Sequence, residues 1–148
     1  MLRGPNLWSR HTALEAIVTC EVNERSIDAI PQFETKIRER FPQLGSMRRG
    51  GLTDPLSLAN ALEHAALGLQ AQAGCPVTFS RTVQTIDEGV YQVVVEYIEE
   101  VVGRMAFDFA FALIQATLND APFDLAAALT ELEALYEDVR LGPSTGSI

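Results

Sequence analysis

At 148 residues the chain has the size of one domain, and a chain of that length buries roughly two thirds of the surface it exposes when unfolded. Eleven basic against 20 acidic residues leave a formal charge of -9, which repels nucleic-acid phosphates and argues against a nucleic-acid partner. No apolar run approaches the roughly 20 residues needed to span a bilayer, and the opening MLRGPNLWSRHT lacks the apolar stretch of a signal peptide. No membrane partner is therefore expected, and a cytoplasmic location is the default. Cys20 and Cys75 form neither a disulfide framework nor a CxxC metal pair and read as two reduced thiols.

Taken in order, residues 2–11 hold the only tryptophan and a Gly-Pro-Asn turn, and read as an extended segment docked by Trp8. Residues 13–22 alternate, with Leu14, Ala16, Val18 and Cys20 on one side, and predict a strand. A polar turn follows over 23–29. Phe33, Ile37 and Phe41 then recur at helical spacing, with Pro31 in the first turn and Pro42 as the stop. Residues 43–53 include GSMRRGGL, a glycine-rich loop whose chemistry is Arg48 and Arg49. Residues 54–74 predict a buried helix capped by Asp54 or Ser57 and ended by Gly74 in a left-handed conformation.

Two β-branched and aromatic runs, 77–83 and 90–98, joined by a turn over 84–89, predict an antiparallel hairpin. Residues 99–118 form a long helix with Val102, Met105, Phe109, Leu113 and Ala116 facing the core, stopped over 119–123. Asp124 caps a last helix running to about Tyr136, with a leucine stripe on an acidic surface. The closing LGPSTGSI has neither period and reads as a linker into something cut off, so the expected division is a domain over 1–140 and a linker over 141–148. The order gives an α+β fold, a small antiparallel sheet with its helices on one face.

The helix over 54–74 carries the conspicuous polar residues. Asn60, Glu63 and His64 stand at i, i+3 and i+4, a spacing that puts them on one face of an otherwise apolar rod. The pattern differs at one position from HxxEH, in which two histidines bind zinc and the glutamate activates water. Asparagine oxygen is a weak substitute for imidazole nitrogen, so no metal and no catalytic residue is expected here; His64, Glu96 and Glu99 are the weak metal candidates, the two glutamates standing near the end of the hairpin. The alternative is that Asn60, Glu63 and His64 hydrogen-bond to one another and to the sheet.

LRGPNLWS, NALEHAALGLQAQAG, PVTFSRT, GVYQVVVEY and EDVRLGPSTGSI, in that order along the chain, resemble the N-terminal domain of cyanophycin synthetases. The resemblance implies a chain continuing into an ATP-grasp and then a Mur-ligase-like domain, with LGPST at the first junction. It implies a parent ligase that builds multi-arginyl-poly-aspartate with ATP and magnesium, while this fragment needs no cofactor and has no activity of its own. Its implied partner is the cyanophycin polymer, held near the ligase domains, in a parent enzyme that is a homo-oligomer. In some members the HxxEH helix is a metal-dependent peptidase that trims polymer into primers; here Glu63 and His64 match that motif and Asn60 replaces its first histidine. The implied fold is similar to that of inverted zinc peptidases. Guanidinium groups pair with carboxylates and stack on aromatic rings, so Glu63, Glu96 and Glu99 are candidate polymer contacts, as are Arg48, Arg49 and Arg81 for the polymer's carboxylates. A zinc peptidase trimming the polymer and an oligomerisation scaffold are the competing readings.

Overall fold

The computed structural model describes residues 12–44 and 56–141, together with the backbone of the strand Asn6–Arg10. That strand, β1, pairs with β2, Ala13–Thr19, so the segment expected to be extended is built into the sheet. Two further strands, β3 at Ser80–Gln84 and β4 at Val90–Glu96, form the expected hairpin. All neighbours are antiparallel, in the order β1-β2-β4-β3, which leaves β1 and β3 at the two edges.

Register explains the inner face. Leu14 pairs with Val95, Ala16 with Val93 and Val18 with Tyr91, and all six side chains are buried in the core. On the third strand, Ser80 and Thr82 lie opposite Val95 and Val93 and so share that face. The other face carries Glu15, Ile17, Gln92 and Arg81, with Gln92 donating to Glu15 Oε1 at 2.7 Å.

Four helices gather over the inner face: α1 at Phe33–Arg40, α2 at Leu58–Gln72, α3 at Glu100–Leu118 and α4 at Leu125–Leu141. Helix α2 packs on β3, β4 and α3, while α1 and α4 flank α3. The structure is thus α+β, as the alternation of periods implied. Phe41 lies against Gly68 of α2, whose absent side chain leaves room for the ring: an added Cβ would stand 3.3 Å from the ring atoms. Gly103 does the same for α3, since a Cβ there would come within 2.8 Å of Tyr97 Cβ. Fully buried Phe33, Phe41, Phe107, Leu62 and Leu113 anchor the interior, each contributing roughly 1.5–3 kcal/mol by leaving water.

Several boundaries differ from the sequence reading, each for a local reason. The strand expected over 13–22 ends at Thr19 because Glu21 and Glu24 cap one another's ends of a 3₁₀ turn, Val22–Glu24. Helix α1 begins at Phe33, after Gln32 at φ 58°, so Pro31 precedes the helix and is not in its first turn. The strand expected from residue 77 starts at Ser80, because the Glu96 carboxyl takes the amides of Thr78 and Phe79 at 2.8 and 3.0 Å. The last helix runs five residues past Tyr136, with Val139 packed on the core and the Arg140 guanidinium 5.5 Å over the Tyr136 ring. Helix α3 also corrects the reading that no apolar run nears bilayer length: its 19 residues, at a mean hydropathy of 1.4, suffice by length and composition to cross a membrane. Half of that helix is buried, with Phe107, Ala110, Leu113 and Ile114 in the core, the ordinary place of a central helix.

Polar clamps fix the periphery. Lys36 meets Asp120 at 2.9 Å and Arg40 Nη1 donates to Ala121 O at 2.5 Å, tying α1 to the turn after α3. The Lys36 ammonium holds the Asp120 carboxyl below the usual carboxylate range, first through its hydrogen bond and then through its charge. At the opposite end Arg25 donates to Cys20 O at 3.3 Å and meets Glu88 at 3.2 Å, lying across Gly89 so closely that a Cβ there would be 2.5 Å from its Nη2. This ties the turn of the β3–β4 hairpin to the segment leaving β2.

Candidate functional site

The polar face of α2 resolves into two separate arrangements. Ser57, fully buried, is the N-cap: its Oγ accepts from the amides of Ala59 and Asn60 at 3.1 and 3.3 Å. Asn60 reciprocates, its Oδ1 accepting from Ser57 N at 2.9 Å and Ser57 Oγ at 3.0 Å. This is a capping box with asparagine in the role usually taken by glutamate or glutamine. The helix stops as expected, with Gly74 at φ 101°. Asp54, the other cap candidate, lies outside the described residues.

One turn on, Glu63 is fully buried and faces β3. Ser80 Oγ donates to its Oε2 at 2.5 Å and Thr82 Oγ1 to its Oε1 at 2.8 Å. Two hydroxyls two residues apart on one strand match the two oxygens of one carboxyl, so the bonds bridge helix and sheet. Asn60 and Glu63 share a helical face yet reach different partners, one the end of its own helix and the other the sheet. His64 is half-buried beside them.

The remaining candidates disperse. Glu96 lies opposite Ala13 in the sheet, and its carboxyl is occupied by the amides of Thr78 and Phe79 on the far side of the sheet from Ser80 and Thr82. Its carbonyl accepts from Gln70 Nε2 at 2.8 Å, a buried α2 side chain that the sequence reading passed over. Glu99 occupies the N-cap position of α3 without a side-chain cap bond. It lies near enough to Cys75 to add to the burial that pushes that thiol's pKa up. Cys20 is pushed up to about 11, chiefly by burial, against a lowering contact from the Ala59 backbone. Among the described residues no three His, Cys, Asp or Glu side chains come together to hold a metal. Arg48 and Arg49 lie outside the described residues.

Arg81 stands on the open face of β3, exposed, between Phe79 at 50% and Val83 at 42% exposure. It has no ion-pair partner among the described residues. Ser80 and Thr82, the hydroxyls that hold Glu63, were not singled out by sequence; the available signal was two small hydroxyl residues alternating on a strand that faces a buried helix.

Fold and site together define an α+β domain in which the polar helix face is engaged in holding the structure and a cationic strand lies at one sheet edge. The chain belongs to the cyanophycin synthase-like N-terminal domain family, whose pattern it matches over residues 15–119. It is 34% identical over 164 aligned residues to a cyanophycin synthetase of Trichormus variabilis, 99% of this chain and 18% of the relative being covered. A cyanophycin synthetase of Geminocystis herdmanii is 35% identical over 162 residues, with 99% and 18% covered, and one of Synechocystis is 32% identical over 166 residues, with 99% and 19% covered. The chain thus spans about a fifth of the length of these relatives.

Proposed function

We propose that this domain is the non-catalytic polymer-holding part of a cyanophycin synthetase, keeping multi-arginyl-poly-aspartate close to ligase domains that use ATP and magnesium. The observation that carries the reading is the open face of β3, where a guanidinium without an ion-pair partner among the described residues, Arg81, stands between an exposed aromatic ring and an exposed valine. A polymer whose side groups carry both carboxylate and guanidinium meets complementary chemistry there. The commitment of Asn60 to the helix cap and of Glu63 to Ser80 and Thr82 supports a holding role over a peptidase role. A helix bearing Glu63 over an antiparallel sheet is compatible with kinship to inverted zinc-peptidase folds, the metal chemistry having been lost. The cytoplasm and a homo-oligomeric parent enzyme complete the proposal.

Titration of the domain with soluble polymer tests it. Binding at low salt, weakened by added salt and by Arg81→Glu, is the expected result. No binding at low salt refutes it, and stoichiometric zinc with chelator-sensitive cleavage of the polymer would put a peptidase in its place.

A further inference from the structure

The hydrogen-bond pattern of the hairpin determines which backbone groups of β3 face away from the sheet. Glu96 N donates to Phe79 O at 2.9 Å and Thr85 N to Val90 O at 2.9 Å, so Phe79, Arg81, Val83 and Thr85 direct their amides and carbonyls toward β4. By the alternation of an antiparallel ladder, Ser80, Thr82 and Gln84 direct theirs outward. No described strand pairs with that side of β3. Within the strand itself SRTVQ contains no proline and no lysine to block a further strand, and its single charge, Arg81, is on the open face.

We infer that β3 takes an extended polyamide chain as a fifth strand, the outward amides and carbonyls of Ser80, Thr82 and Gln84 forming the new ladder. The inference rests on the polymer-holding reading and adds the mode of recognition: main-chain hydrogen bonds give affinity, and the row of Phe79, Arg81 and Val83 grips side groups. The occupant is set by spacing and charge. Alternate residues of a strand recur about every 6.8 Å on one face, and an added strand has the same repeat. A homopolymer therefore presents one identical side group per step of the row Phe79, Arg81, Val83. A side group with both a guanidinium and a carboxylate can lay the first over the Phe79 ring and set the second against Arg81. A purely anionic chain would meet the repulsion of a domain carrying a formal charge of -9, which a zwitterionic side group avoids.

Amide hydrogen exchange on the labelled chain, with and without soluble multi-arginyl-poly-aspartate, tests the inference. The amides of Ser80, Thr82 and Gln84 should gain about tenfold protection or more, while those of Arg81 and Val83, already bonded within the sheet, change little. Gln84→Pro removes one outward donor without touching the β4 ladder, and should weaken binding about threefold to tenfold with the thermal transition retained. Should that variant not fold, the exchange pattern of the parent chain decides alone. Binding without this alternating protection overturns the inference and leaves the holding role intact, whereas no binding removes both. The same protection on concentrating the protein without polymer would assign the edge to a second copy of the chain, and also overturns it.

Discussion

Replacing Thr82 by valine keeps the shape and strand propensity of the residue but removes the hydroxyl that donates to Glu63 Oε1 at 2.8 Å. The Glu63 side chain has no exposure, so water cannot take over the vacated place without the core opening. A hydroxyl bonded to a buried carboxyl contributes about 1.5–3 kcal/mol, and the extra methyl of valine returns part of that, for a net loss of about 1–2 kcal/mol. With a urea slope of about 1.5 kcal/mol/M, the midpoint should fall by about 1 M with the slope unchanged. The control is Glu63→Leu, in which both partners become apolar once Thr82→Val is added. In that background Thr82→Val should cost less than about 0.5 kcal/mol, giving a coupling energy of about 1 kcal/mol. Equal losses in the two backgrounds would refute the view that α2 is fastened to β3 through this carboxyl.

Ser57→Ala and Asn60→Ala should each cost about 1 kcal/mol in urea titrations, since each removes half of a reciprocal cap. Asn60→His should lose the same cap and, by calorimetry, take up zinc no more tightly than the parent chain, because Glu96 is engaged on the other side of the sheet. Gly103→Ala should destabilise by about 1–3 kcal/mol, its Cβ coming within 2.8 Å of Tyr97 Cβ; a neutral result would show that α3 can shift away from the sheet at no cost. Cys20, whose thiol is pushed up to about 11 when folded, ionises first in the unfolded chain. Its contribution is therefore whole below about pH 9 and declines as pH rises toward 11, by at most about 3 kcal/mol, and Cys20→Ala should flatten that stretch of a stability profile.

Much of the architecture could be read from periodicity. The 3.6-residue repeats of α2 and α3 and the two-residue repeats of β2 and β4 reflect burial, and burial is what the structure shows for Leu14, Val93, Leu62 and Leu113. Ends were harder to place, because they are decided by single side chains competing with the backbone. Glu96 captures the amides of Thr78 and Phe79 and delays β3; Glu21 and Glu24 divert the end of β2 into a turn. The polar face of α2 was visible as a pattern, but its partners were not. Ser80 and Thr82 lie 17 and 19 residues beyond Glu63, and only the pairing of β3 with β4 turns their hydroxyls toward α2. Asn60 could have been assigned to the cap from Ser57 three residues before it, a local signal that the resemblance to HxxEH obscured.

The clamp of Arg25 over Gly89 bears on how readily β3 accepts another strand. A hairpin free to sway would have to be ordered when a chain docks, and that lost entropy would be subtracted from the binding energy. By holding the turn at Glu88 and Gly89 against Cys20, Arg25 has the ordering done when the domain folds. On the proposed mode of docking, a residue away from the β3 edge thereby helps set how long the polymer stays. Arg25→Met would loosen the hairpin tip and lower affinity through faster release, leaving the chemistry of the β3 surface unchanged.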